Sequence, residues 1–139
     1  MGKRRKAREI ALQALYELEA EGKEVGSVLE AHADRRGSSS ETREYASSLV
    51  SWVRAEREAL DSLIAAKLEN WDLDRLSLLM RLCLRLGLAE SRNAPEVPTR
   101  VILDEVIELA RKYDSEEGAG FVNGLLEPLI FAERGERPS

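Results

Sequence analysis

The sequence predicts an all-α fold, and three observations carry that prediction. Charged residues make up 34% and aromatics only 5% of 139 residues, a balance that suits amphipathic helices better than a β-sandwich. Apolar residues recur at helical spacing through most of the chain. A chain of this length forms one domain that buries roughly two thirds of its unfolded surface, so it requires no disulfide or metal staple.

The first helix contains KRRKAREIALQALY, Lys3 to Tyr16, in which a basic run passes directly into an apolar stripe. Ala7, Ala11, Ala14 and Leu18 define the stripe, and Ile10 and Leu15 widen it. Lys3, Arg4, Arg5, Lys6 and Arg8 precede or border it, leaving the rest of the chain with 16 basic against 26 acidic residues. A positive pole on an acidic chain is the footprint of a polyanion contact. A solvated, frayed terminus gives the same pattern, and charge alone leaves both readings open. A packed helix would hold Arg4 and Arg8 in place, which favours a nucleic-acid role.

Gly22 and Gly26 bracket the end of this helix, and Ser27 is placed to cap a short one carrying Val28, Leu29 and Ala33. RGSSS, 36–40, reads as a loop, where Ser38 and Glu41 have capping-box spacing. A long helix follows from Glu41 to about Glu69, with a bend or an exit from the core expected at the polar stretch Arg54 to Glu58. Asp72 or Asp74 caps the next helix, Arg75 to Ser91, whose leucines on nearly every side make it the hub of the core. Gly87 within it predicts a break or a close approach of another helix. After a loop ending at Pro98, Ile102, Val106, Leu109, Ala110 and Tyr113 define another amphipathic helix. In the last segment Asn123-Gly124 signals a hairpin, but Phe121, Val122, Leu125, Leu126, Leu129 and Ile130 fall in pairs four apart. The periodicity predicts a helix, kinked or ended by Pro128, with a disordered tail after it.

No apolar run reaches the roughly 20 residues needed to cross a bilayer, and Arg8, Glu9, Gln13 and Glu17 interrupt any signal-peptide core, so a cytoplasmic protein is expected. One His and one Cys build no metal site, and no phosphate-binding glycine loop or nucleophile elbow occurs. No cofactor and no enzyme activity are expected. Asp104, Glu105 and Glu108 supply carboxylates, but such a run on an amphipathic helix is usually a solvated face. Arg85, inside the leucine-rich helix, requires a carboxylate partner or a ligand, and the residues alone favour an ion pair. Phe121 reads as core, with base stacking as the alternative.

Taken in order, KRRKAREIALQALY, the W-x-x-x-R-L pattern of Trp71 to Leu76, VPTRVILDEVIELARKY and FVNGLLE resemble the NusB family of bacterial transcription factors over about Lys3 to Glu127. The resemblance implies about seven helices in two packed bundles, an N-terminal one over 1–69 and a C-terminal one over 70–133, with the tail at 134–139. It implies binding of boxA-type single-stranded RNA in nascent transcripts, with ribosomal protein NusE and other Nus factors on RNA polymerase, to suppress termination. Carried over by position, it assigns RNA contact to Lys3, Arg4, Arg5, Lys6, Arg8, Arg85, Glu117 and Phe121, and a mainly structural role to Tyr16. The family usually has an acidic residue at Met80, an aromatic at Ala89 and a leucine at Ser91. Met80 lies where NusE docking is implied, so that change bears on the protein partner more than on RNA. The alternative is a helical interaction module or homodimer without specific RNA binding.

Overall fold

The computed structural model describes residues 2–68 and 73–137. It contains α1 (Gly2–Glu21), α2 (Val25–Arg35), α3 (Ser40–Lys67), a 3-10 turn (Leu73–Arg75), α4 (Leu78–Asn93), α5 (Thr99–Tyr113) and α6 (Glu116–Arg134). No strand occurs among the described residues, which settles the Asn123-Gly124 conflict in favour of the helix. Trp71, Asp72 and the expected boundary between residues 69 and 70 lie outside the described residues.

The helices α1, α2 and α3 pack on one another, as do α4, α5 and α6. Both α1 and α3 also pack on α4, so one apolar core runs through the two groups. Ala7, Ile10, Ala11 and Ala14 of α1 are fully buried, as the stripe predicted. On α4 every residue from Leu82 to Ser91 is buried, which makes it the hub. Its Gly87 marks a close approach: a Cβ there would lie 2.6 Å from Cδ2 of Leu126 on α6 and 3.2 Å from Cγ2 of Val106 on α5. Cys83 is a buried free thiol, and burial, reinforced by the charge of Asp114, pushes it up to about 12.

Helix ends differ from expectation in four places. Glu24, not Ser27, caps α2, because its carboxylate is long enough to accept from the Gly26 N–H at 2.7 Å and the Ser27 hydroxyl at 2.9 Å. Ser39, not Ser38, caps α3 through the Thr42 N–H, and Glu41 turns to Lys3 instead of completing a box. Ser77, not Asp74, caps α4, which begins three residues later than expected, after the 3-10 turn. Finally, α6 continues through Pro128 to Arg134. The carbonyl that loses its partner at Pro128 belongs to Gly124, which is exposed to solvent, so the missing bond is tolerated.

The helix α3 is unbroken across Arg54 to Glu58, and there it leaves the core, as one of the two expectations had it, with Glu56 and Arg57 paired to other helices. Glu56 accepts from Arg92 and Asn93, and Arg57 pairs with Glu19. Arg134, expected as the first residue of the tail, is instead the last residue of α6. The Arg134 guanidinium donates to the carbonyls of Ser91, Ala94 and Val97, closing the C-terminal end of α4. Gly135 then ends the helix with φ 63°, a left-handed conformation that favours glycine.

Candidate nucleic-acid interface

The first turns of α1 carry Lys3, Arg4, Arg5 and Lys6 on the surface. Packing of Ala7, Ile10 and Ala11 fixes the helix, so the cations stand in set positions. Lys3, Arg4 and Lys6 border an open groove of about 960 Å³ whose floor includes Val97, Pro98 and Val101. Cations over an apolar floor suit a nucleotide, with phosphate held at the rim and a base laid on the floor.

Acidic residues of the same chain enter this cationic end. Lys3 Nζ lies 3.1 Å from Glu41, and Arg4 Nη2 lies 3.2 Å from Glu96 while its guanidinium sits over the Tyr45 ring at 4.6 Å. Arg5 donates from Nε and Nη2 to the two oxygens of Glu105 at 2.9 and 2.7 Å. The Arg5 hydrogen bond therefore draws the Glu105 carboxyl below its ordinary value, against its partial burial. Lys6 has no ion pair among the described residues.

Arg8 and Arg85, grouped by sequence with the RNA-contacting cations, are buried instead. Arg8 is only 3% exposed and gives Nε and Nη2 to Glu90, each at 2.7 Å. Burial opposes the charge of Arg8, but the Glu90 carboxylate outweighs it and the guanidinium is held above its ordinary value. Tyr45 donates to the same carboxylate at 2.6 Å, so Glu90 ties α1, α3 and α4 together. Arg85, 2% exposed, donates to both oxygens of Asp61 at 2.7 and 3.0 Å, with Glu19 3.6 Å away. This is the ion pair that the residues alone favoured, and it presents no free guanidinium edge to a phosphate.

The other candidates lie toward the opposite end of α1. Ser77 at the start of α4 donates to Asp114 at 2.7 Å, just ahead of α6, which brings the helix starts bearing Met80 and Glu117 together. Glu117 is exposed, and Phe121, one turn on, is half-buried against the core. Met80 is likewise half-buried on the core. Tyr16 is 44% exposed and lines a small cleft with Leu12, Leu79 and Tyr113. Along α1 the Lys3 and Tyr16 positions are about 20 Å apart at 1.5 Å per residue, a span of roughly six nucleotides at the rise of one duplex strand. Ala89 and Ser91, the other departures in α4, are buried, so they alter packing and not the surface.

Sequence reasoning missed the acids that organise this end. Glu105 was read with Asp104 and Glu108 as a solvated face, whereas its side chain is largely covered by Arg5 and Arg8. Glu9 was not singled out, although it accepts from Arg36 at 2.9 Å, Lys112 at 2.5 Å and Tyr113. One sequence signal for Glu90 was available: it directly continues the apolar run Leu86-Gly87-Leu88-Ala89, and a carboxylate enclosed with that helix requires a cation.

Comparison with known proteins agrees with this architecture over nearly the whole chain. The NusB family model matches residues 5–130. The transcription antitermination protein NusB of Sorangium cellulosum is 42% identical over 129 residues, 93% of this chain and 92% of its own length. That of Myxococcus xanthus is 38% identical over 136 residues, 95% of this chain and 97% of its own. A chain in the solved structure of antitermination factors NusB and NusE in complex with dsRNA superposes with a TM-score of 0.84 at 28% identity, covering 95% of this chain and 98% of that one. With the motifs in order, the helices in the same arrangement and the similarity running almost end to end, the chain belongs to the NusB family.

Proposed function

We propose that this chain is a transcription antitermination factor that binds boxA-type single-stranded RNA in nascent transcripts, with NusE, within RNA polymerase complexes. It works in the cytoplasm as a binding protein without catalytic activity. The observation that supports this most directly is the exposed array of Lys3, Arg4, Arg5 and Lys6 on a helix fixed by its own packing. Relatives bearing the antitermination name and a neighbour solved with NusE and RNA lend it their function. In this reading the cations hold phosphates, while the half-buried Phe121 stacks a base and Glu117 accepts from base or sugar groups. Arg8 and Arg85 act by holding α1 and α4 in place. Met80 belongs to the surface offered to NusE.

The test is a salt titration of binding to boxA RNA and to a scrambled RNA, with and without NusE. Tighter binding of boxA, strengthened by NusE, is expected. Equal affinities for the two RNAs under both conditions sink the sequence-specific function. Replacing Lys6, the cation of this array with no ion pair among the described residues, by Gln flattens the dependence of log affinity on log salt by about 0.7, the value for one phosphate contact to a single strand. Phe121→Ala narrows the preference for boxA without altering that slope.

A further inference from the structure

Three of the four exposed cations at the start of α1 already face a carboxylate of their own chain, and those carboxylates differ in how firmly they are held. Glu105 is locked by two parallel bonds and is largely covered, so it stays with Arg5. Glu41 and Glu96 are exposed, each makes one ion pair, and the pairs run to Lys3 and Arg4 at 3.1 and 3.2 Å. They come from different places, the first turn of α3 and the loop between α4 and α5, and both line the groove beside α1.

We infer that Glu41 and Glu96 are internal competitors for phosphate, which an incoming RNA must displace from Lys3 and Arg4 before those cations can bind it. An exposed ion pair of this kind dissolves readily, being worth about 0–1 kcal/mol, so the competition weakens binding without abolishing it. Its signature lies in the salt dependence. A bare cation that meets a phosphate lets the nucleic acid release a condensed counterion, and this release drives sequence-independent affinity. A cation taken from a carboxylate leaves that carboxylate to recruit a cation from solution, so net release falls. Arbitrary polyanions, which offer only phosphates or sulfates, are thereby held off. An RNA that adds base contacts or arrives with a protein partner has other contacts to overcome the cost. The inference rests on the reading of this end of α1 as the RNA-facing one.

The experiment compares Glu96→Gln and Glu41→Gln with Glu58→Gln, an exposed acid of α3 whose loss changes the net charge equally. Each variant is titrated with scrambled RNA over a range of salt, eluted from heparin, and checked by thermal melting. Glu96→Gln and Glu41→Gln are expected to bind scrambled RNA up to about fivefold more tightly, with a log–log salt slope steeper by about 0.7 and later heparin elution, at unchanged melting temperature. Glu58→Gln shows at most a small change from net charge, with the slope unaltered. Slopes and elution for Glu96→Gln and Glu41→Gln that match Glu58→Gln overturn the inference. Failure of the antitermination reading shows separately, as an unsubstituted chain that does not distinguish boxA from scrambled RNA while the heparin and slope effects persist.

Discussion

Glu90→Ala is the substitution with the largest expected effect on this fold. Glu90 is fully buried and receives two bonds from Arg8 and one from Tyr45, so its removal leaves a guanidinium 3% exposed and a phenol without an acceptor. Breaking a buried pair from one side costs about 3–5 kcal/mol, because the remaining charge stays desolvated. Glu105, 3.7 Å from Nη1 of Arg8, offsets part of this, which places the loss near the lower end, about 3 kcal/mol. In a chain of this size that lowers the melting temperature by about 10 °C and removes a large part of a total stability of about 5–15 kcal/mol. Urea and thermal unfolding of Glu90→Ala, Arg8→Met and the double variant form a cycle whose coupling is expected at about 1.5 kcal/mol or more. Replacing Arg8, Glu90 and Tyr45 together by Met, Leu and Phe restores most of the stability, because no buried charge or hydroxyl is then left alone. A loss below about 1 kcal/mol for Glu90→Ala, or a coupling below about 0.5, refutes the reasoning. The triple variant also retains the salt slope for RNA if Arg8 acts only by holding α1, whereas a direct phosphate contact makes the slope fall.

Gly87→Ala is expected to destabilise by about 1–2 kcal/mol: overpacking against Leu126 and Val106 costs about 1–3, partly offset by up to about 1 of helix preference for alanine. A urea midpoint at or above that of the unsubstituted chain contradicts the close approach. Glu9 supplies an acid dependence. Burial opposes its charge, but Lys112, Tyr113 and Arg36 hold its carboxyl below the ordinary 4.5 in the folded chain. Below that pH the unfolded state binds the extra proton, so the contribution of Glu9, complete above 4.5, is lost as pH falls through the lower folded value. Glu9→Gln is therefore less stable at neutral pH and loses stability less steeply below 4.5, read from unfolding midpoints across pH; an unchanged acid slope contradicts it. Arg134→Ala leaves three carbonyls and the Thr99 hydroxyl without their donor. A cost of about 1–3 kcal/mol and faster amide exchange from Ala94 to Thr99 are expected, and exchange that does not change rules out the closure.

How much of this was legible in the sequence depended on the kind of interaction. Periodicity located the buried faces, because burial of Ala7, Ala11 and Ala14 or of Val122, Leu126 and Ile130 follows from a helix having one inner side. It also outweighed the Asn-Gly turn signal, since a hairpin there would have scattered six apolar side chains onto both faces. Caps were misplaced by one to three residues, because adjacent candidates such as Ser38 and Ser39 differ only in which backbone N–H they reach. The site was harder to read. A run of cations shows charge but not its neighbours, and the neighbours here are distant: Arg8 meets Glu90 across 82 residues, Arg5 meets Glu105 across 100. No local pattern encodes pairs of that separation, which follow only from how α1 crosses α4 and α5. The resemblance placed Arg85 beside the RNA-facing cations, while elementary electrostatics placed it in an ion pair, where the structure has it.

The acidic excess of the chain acquires a purpose from the same geometry. Half of the buried apolar residues of α1 are alanines, Ala7, Ala11 and Ala14, and small side chains let the helix sit close to its neighbours. Close packing alone would leave a short helix face free to slide. Arg5, Arg8 and Glu9 prevent this with directional bonds to Glu105, Glu90 and the pair Lys112 and Tyr113, on α4 and α5. The register of α1, and so the positions of Lys3, Arg4 and Lys6 relative to Tyr16 about 20 Å along the helix, is thus set by carboxylates. Removing acids to make the chain more basic would not make it a better RNA binder in every case. Loss of an exposed acid such as Glu96 frees a cation, while loss of a buried one such as Glu90 releases the helix that holds all of them.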